Sequence, residues 1–171
     1  QGLETIYTNL VWSDEFDTDG APNPANWTYD LGANGWGNQE VQNYTNNLEN
    51  AEVANGMLKI TAKAAGSGYT SARLKSEGLY EFTYGRVEVR AKLPTGGGTW
   101  PAIWMLGADY QTNTWPAWGE IDIMETRDHT DVIQGTIHYV GRAADQANVY
   151  SSGYYTPGGI DFSQDFHIYS L

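Results

Sequence analysis

Cysteine is absent from the 171-residue chain, which therefore has no disulfide framework, no thiolate metal ligand and no cysteine nucleophile. Basic residues are scarce: 9 Lys and Arg stand against 21 Asp and Glu, a net charge of −12. This excess of negative charge disfavours nucleic acid, an anionic membrane surface and a polyanionic substrate as partners, whereas a neutral polymer remains compatible. No apolar run approaches the length of a membrane span, and the first residues do not follow a signal-peptide pattern. A mature secreted protein and a cytoplasmic one both fit these absences.

Apolar residues at helical spacing are also missing, and strand patterns take their place. In segment 86–93 the residues that share one face are Val87, Val89, Ala91 and Leu93. Similar alternation occurs at 57–64, 132–140 and 166–171. Short strands separated by glycine-rich turns predict an all-β sandwich or barrel, and the length fits one domain over residues 1–171.

The last segment, 165–171, follows a strand pattern without a closing turn or polar tail. Because a domain rarely ends inside an apolar strand, we expect the sequence to be the N-terminal portion of a longer domain. A second chain that completes the sandwich is the alternative.

Three carboxylates lie within six residues of a strand-like run. Glu120 and Asp122 share a face because strand side chains alternate. Glu125 would point to the other face unless a β-bulge adds one residue, and bulges are common at active sites. A strand with a solvated acidic face is one interpretation. The other is glycoside hydrolysis, since a retaining glycosidase needs an ionised nucleophile and a protonated general acid about 5–5.5 Å apart. Asp122 would help to separate the two pKa values, but spacing alone does not order the roles of the glutamates.

The chain resembles glycoside hydrolase family 16, specifically its laminarinase-type, endo-1,3-β-glucanase branch. Seven segments carry the resemblance, in family order: VWSDEFD (11–17), GWGNQEVQ (35–42) followed by Tyr44-Thr45, YTSARL (69–74), YGRVEVRAKLP (84–94), GTWPAIWML (98–106), WGEIDIME (118–125) and GTIHY (135–139).

This resemblance implies a β-jelly-roll of two curved antiparallel sheets with a concave substrate cleft. It also implies retaining hydrolysis, with Glu120 as nucleophile, Glu125 as acid/base and Asp122 as electrostatic helper. We therefore expect a secreted endo-glycosidase that acts on laminarin-type β-1,3-glucan, with mixed 1,3/1,4-linked β-glucan left open.

Two alternatives remain on the same fold. The first is a non-catalytic β-glucan-binding module, against which the intact carboxylate set argues. The second is a hydrolase of a marine galactan such as agarose; the low Lys and Arg count argues against a sulfated substrate, which would need cationic subsites.

Six further residues are implied as substrate-binding. Tryptophans in strands are most often core, but the 7 Trp and 12 Tyr also suit the apolar faces of sugars. The resemblance places Trp118 in the cleft with at least one of Trp100 and Trp104. It gives Asn38 a hydrogen bond to a sugar hydroxyl and places His138 beside the acid/base. Arg73 either donates to hydroxyls or pairs with a nearby acid.

No cofactor is expected for catalysis. Family members often carry a structural calcium ion, and Glu15 and Gly56 are the positions in this chain that would contribute oxygen ligands.

Overall fold

The computed structural model describes residues 6–141 and 149–171, in which every regular element is a β-strand. The all-β class is therefore confirmed. In that part of the chain no helix is long and apolar enough to span a membrane. Two compact units make up the chain, residues 1–83 and 84–171, and one domain over the whole length stays a prediction.

The first unit contains seven short strands. Their bounds are β1 Thr28–Asp30, β2 Gln42–Tyr44, β3 Ala51–Ala54, β4 Met57–Ile60, β5 Lys63–Ala65, β6 Gly68–Ser71 and β7 Arg73–Lys75. Strands β1 and β7 pair antiparallel, β3 and β4 form a hairpin, and the third sheet has the order β2-β6-β5. The fully buried Asn50 links the segment after β4 to β6, because its amide donates to Thr61 O at 2.9 Å and to Thr70 Oγ1 at 3.1 Å.

Segment 57–64 is not the single strand that its alternation predicts. It divides into β4 and β5, and Ile60 is 50% exposed rather than facing a core. The break lies at Thr61, whose backbone N–H donates to Asn50 O at 2.9 Å, so the chain leaves the β3–β4 hairpin there. Strand β5 then pairs with β6.

The second unit contains six strands: β8 Glu88–Ala91, β9 Ala102–Leu106, β10 Glu120–Glu125, β11 Ile133–Tyr139, β12 Val149–Tyr155 and β13 His167–Ser170. Four of them form an antiparallel sheet in the order β12-β11-β10-β9, and β13 pairs with β8. The predicted alternation of segment 86–93 is confirmed, since its apolar residues are half-buried or buried and its charged residues are exposed.

One apolar cluster forms the core of this second unit. It consists of Leu93, Met124, Ile133, Phe162 and Tyr169. Met124 on β10 is 1% exposed. Because it anchors one face of β10 in the core, the other face is free to carry polar side chains.

Candidate active site

Strand β10 contains the predicted bulge. Against β11, Asp122 pairs with Thr136 and Glu125 pairs with Gln134, so two residues of β10 lie opposite Gly135 alone. The register against β9 shifts at the same place. The extra residue reverses the alternation, which keeps Met124 in the core and returns Glu125 to the face of Glu120 and Asp122.

The neighbouring strands add side chains to this face, because residues directly opposite each other in a ladder project to the same side. Trp104 on β9 is opposite Asp122. On β11, Gln134, Thr136 and His138 lie opposite Glu125, Asp122 and Glu120 and form a polar row on the same face. Gln134 Nε2 donates to Thr136 Oγ1 at 3.2 Å.

Asp122 lies at the centre of the site and is 5% exposed. Burial, with smaller contributions from the charges of Glu120 and Glu125 and a hydrogen bond with Glu120, raises the pKa of Asp122 from 3.8 to about 8. At neutral pH its carboxyl therefore holds a proton that it donates to Glu120. His138 Nε2 lies 3.5 Å from the Oδ2 atom of Asp122.

Each of the two glutamates also accepts a hydrogen bond from an indole N–H. Trp115 Nε1 donates to Glu120 Oε2 at 2.8 Å, and Trp100 Nε1 donates to Glu125 Oε1 at 2.8 Å. These bonds fix the orientation of both carboxylates and give each a partner of opposite partial charge. Trp100 is therefore in the site as expected, although it precedes β9 and acts through its N–H.

Trp115 is a site residue that sequence reasoning missed. It is 43% exposed, and its ring centroid lies 5.3 Å from that of His138. The turn that follows brings it back to β10, since Ala117 N donates to Thr114 O at 2.7 Å and Gly119 N to Pro116 O at 2.9 Å. The one available signal was its position five residues before Glu120, which indicates nothing without the turn geometry.

Trp118 contacts a different part of the unit. Its ring is half-buried and packs edge-on against Tyr110, with centroids 6.1 Å apart. Its Nε1 is buried without a hydrogen-bond partner among the residues that the structure describes. Gly107 accommodates this segment: a Cβ there would lie 2.0 Å from the Trp118 carbonyl oxygen. A role of Trp118 in sugar binding stays a prediction.

The expectation that His138 lies beside the acid/base is wrong. In the ladder His138 is opposite Glu120, and Gln134 is the residue opposite Glu125. His138 makes tilted ring contacts with Trp115 and Tyr150, whose centroids lie 5.3 and 6.0 Å from that of the imidazole. Its contacts are therefore with the Glu120 end of the site.

At the Glu120 end, three side chains of the types that bind metals lie close enough together to hold an ion. Within residues 6–141 and 149–171 this is the one group of three or more His, Cys, Asp or Glu side chains that could do so. Glu120, Asp122 and His138 each offer one ligand atom, and these atoms lie within 4.8 Å of one another. An ion bound there would occupy the carboxylate of Glu120.

Asn38 and Arg73 lie in the first unit, where Trp36 connects them. The Arg73 guanidinium lies 4.8 Å from the Trp36 ring centroid, and Asn38 Nδ2 donates to Trp36 O at 3.5 Å. Arg73 Nε also pairs with Asp30 Oδ2 at 2.9 Å across β1 and β7. The acid partner, one of the two expected uses of Arg73, is thus observed, and sugar contacts of both residues stay predictions.

The residues expected at a calcium site do not make one by themselves. Glu15 and Gly56 are both exposed, and Gly56 lies in the turn between β3 and β4. Calcium takes six to eight oxygen ligands, more than these two residues supply. A structural calcium ion stays a prediction.

Comparisons with known proteins relate the chain to a family of enzymes. A family model described as glycosyl hydrolases family 16 matches residues 38–171. A β-glucanase of Rhodothermus marinus is 48% identical over 172 residues, which cover 95% of this chain and 58% of that protein.

Two solved structures show the same fold. The laminarinase from Rhodothermus marinus matches with a TM-score of 0.82 and 45% identity over 94% of this chain and 66% of that chain. A non-specific endo-β-1,3(4)-glucanase matches with a TM-score of 0.80 and 40% identity over 95% and 64%. The chain therefore spans less than two thirds of each of these relatives.

Proposed function

The chain belongs to glycosyl hydrolase family 16, and from that membership we propose that it is a retaining endo-glycosidase that cleaves internal β-1,3-glucosidic bonds of laminarin-type glucans. The observation that carries the proposal is the bulged strand β10, which places Glu120, Asp122 and Glu125 on one face. The names of the similar proteins support β-1,3-glucan as substrate. Cleavage of mixed 1,3/1,4 linkages is supported by the similar endo-β-1,3(4)-glucanase.

In the first step Glu120 attacks the anomeric carbon of the bound sugar while Glu125 transfers its proton to the glycosidic oxygen. The leaving chain departs as an alcohol, and a covalent glycosyl ester remains on Glu120. In the second step Glu125 takes a proton from water, the resulting hydroxide attacks the same carbon, and Glu120 is released. Two inversions leave the product in the β-configuration.

The neighbours of Glu120 favour its departure in the second step. The protonated Asp122 donates a hydrogen bond to Glu120, and Trp115 Nε1 donates another. Both donors stabilise negative charge on the departing carboxylate. They also hold it in one orientation in the free enzyme, so little reorganisation is needed for attack.

We expect the enzyme to be secreted, because a polymeric glucan cannot enter a cell intact. The measurement is the distribution of laminarin-degrading activity between medium and cells of the producing organism. Activity confined to the cells would contradict secretion.

The test of the proposal is release of reducing sugar from laminarin, lichenan and agarose. We expect release from laminarin, and a loss of at least about a thousandfold in Glu120→Gln and Glu125→Gln, since each removes a group that reacts directly. The matched control is Glu52→Gln, which changes an exposed carboxylate on β3 and should leave the rate unchanged.

Three outcomes would contradict the proposal. Laminarin binding without hydrolysis by the wild-type enzyme would indicate a binding module. Release from agarose instead of laminarin would indicate a galactan hydrolase. A fully active Glu120→Gln variant would remove the proposed nucleophile.

A further inference from the structure

Two loops of the second unit are joined beside Glu125. Segment 98–101 leads into β9, and segment 126–128 follows β10 directly. Thr126 N donates to Pro101 O at 3.4 Å, Asp128 N donates to Thr99 O at 3.3 Å, and Gly98 N donates to the Asp128 carboxylate. Three hydrogen bonds therefore hold these segments side by side.

The two segments are also in contact through their side chains, Arg127 from the second and Trp100 from the first. Arg127 extends across Trp100, and its guanidinium carbon lies 3.5 Å from the centroid of the indole ring. This is a close cation–π contact. The same indole donates from Nε1 to Glu125 Oε1 at 2.8 Å. Arg127, Trp100 and Glu125 thus form one continuous row of contacts.

We propose that Arg127 is a positioning residue for Glu125, which it orients by fixing the indole of Trp100. The proposal rests on the proposed function, in which Glu125 is the acid/base. Arg127 contacts the indole face of Trp100, so it would act on Glu125 through that ring.

The indole of Trp100 is held at two places. Arg127 restrains its face, and Glu125 restrains its N–H edge. Because an indole N–H only donates, Glu125 Oε1 acts as the acceptor, which leaves Oε2 to carry the proton needed by the leaving group. A rotated indole would release Oε1, and the carboxyl could then turn away from the glycosidic oxygen.

The positive charge of Arg127 also strengthens the hydrogen bond between Trp100 and Glu125 during the reaction. When Glu125 has transferred its proton, its negative charge faces the N–H of Trp100. Arg127 on the ring face makes that N–H a stronger donor, because a cation draws electron density from the indole. The contact is therefore stronger in the state that follows proton transfer.

The test uses Arg127→Met, which removes the cation, and Arg127→Lys, which keeps one. The matched control is Arg90→Met. Arg90 is also exposed, and its guanidinium lies 4.3 Å above the Phe166 ring centroid. Each variant is assayed on laminarin and on a 2,4-dinitrophenyl β-laminaribioside, whose leaving group departs without protonation.

We expect Arg127→Met to lower kcat/KM on laminarin about threefold to fivefold, which is about 0.6–1 kcal/mol at 1.36 kcal/mol per tenfold. On the dinitrophenyl substrate the loss should stay below about 1.5-fold, because kcat/KM reports the first step and that step then needs no acid. Arg127→Lys should recover at least about half of the loss, and Arg90→Met should match the wild type on both substrates.

A second readout does not depend on activity. The indole N–H resonance of Trp100, assigned from the spectrum of Trp100→Phe, should move upfield in Arg127→Met and stay in place in Arg90→Met. Equal losses on both substrates, an unchanged kcat/KM on laminarin or an unmoved resonance would overturn the proposal. A wild-type enzyme that cleaves neither substrate would instead overturn the proposed function.

Discussion

Asp122→Asn should make the protein more stable than the wild type, by an amount that grows with pH. Burial, then the charges of Glu120 and Glu125, raises the pKa of Asp122 from 3.8 to about 8 in the folded chain. Between these values the folded chain holds a proton that the unfolded chain has lost. Folding therefore takes up a proton, and the stability of the wild type falls as pH rises from about 4 to about 8. Asparagine cannot ionise, so the variant escapes this loss.

The size of the effect follows from linkage. One group can change the free energy of unfolding by at most about 1.4 kcal/mol per pH unit. Because the charges of Glu120 and Glu125 act on Asp122, its titration is spread over a wider pH range than that of an isolated group, and the observed slope is smaller than this single-site limit. Between pH 5 and pH 7 the stability difference should grow by about 1–2.5 kcal/mol, and each 1 kcal/mol corresponds to about 2–4 °C in Tm.

The assay is urea unfolding of both proteins at pH 5, 6 and 7. The control is Asp161→Asn, because hydrogen bonds from the side chain and backbone of Ser163 lower the pKa of Asp161. It titrates below this window, so its stability difference from the wild type should be constant. A difference for Asp122→Asn that is flat or shrinks as pH rises would refute the reasoning.

Three further variants test other parts of the account. Trp115→Phe removes the N–H that bonds Glu120 and should lower kcat/KM on laminarin about tenfold or more; a loss below twofold would contradict its role. Gly107→Ala should lower Tm by several degrees, because its Cβ would lie 2.0 Å from a backbone carbonyl oxygen. The control Gly158→Ala has open space around the new Cβ and should leave Tm unchanged. Equal Tm values of the two variants would contradict the clash. Met124→Ala should cost about 2–5 kcal/mol in urea unfolding because Met124 is 1% exposed, and a cost below 1 kcal/mol would contradict its place in the core.

The bulge could be predicted from the sequence, because charge and apolarity fix which residues of a half-buried strand face the core. Glu125 cannot occupy the core face of β10 at low cost, and Met124 can. One inserted residue resolves this conflict, and the structure contains it. In segment 86–93 the alternation of apolar and charged residues predicted the buried and the exposed face correctly, for the same reason.

Contacts that depend on register or on loop conformation could not be predicted. The resemblance implied a place for His138 beside the acid/base, yet the ladder pairs His138 with Glu120. The sequence pattern could not correct this, because periodicity gives the face of a residue but not its partner. Trp115 reaches Glu120 only because a turn folds the chain back. In the sequence Arg127 is an ordinary cation that follows a strand. Its position over Trp100 results from the packing of two loops, which the sequence does not reveal.

The most direct test of retaining hydrolysis by Glu120 and Glu125 is proton NMR of the first product formed from laminarin. Spectra recorded within the first minutes, before mutarotation, distinguish α- from β-anomeric protons at the new reducing end. Double displacement through Glu120 gives the β-anomer first, with the α-anomer growing in later. An initial α-anomer would contradict the double displacement through Glu120.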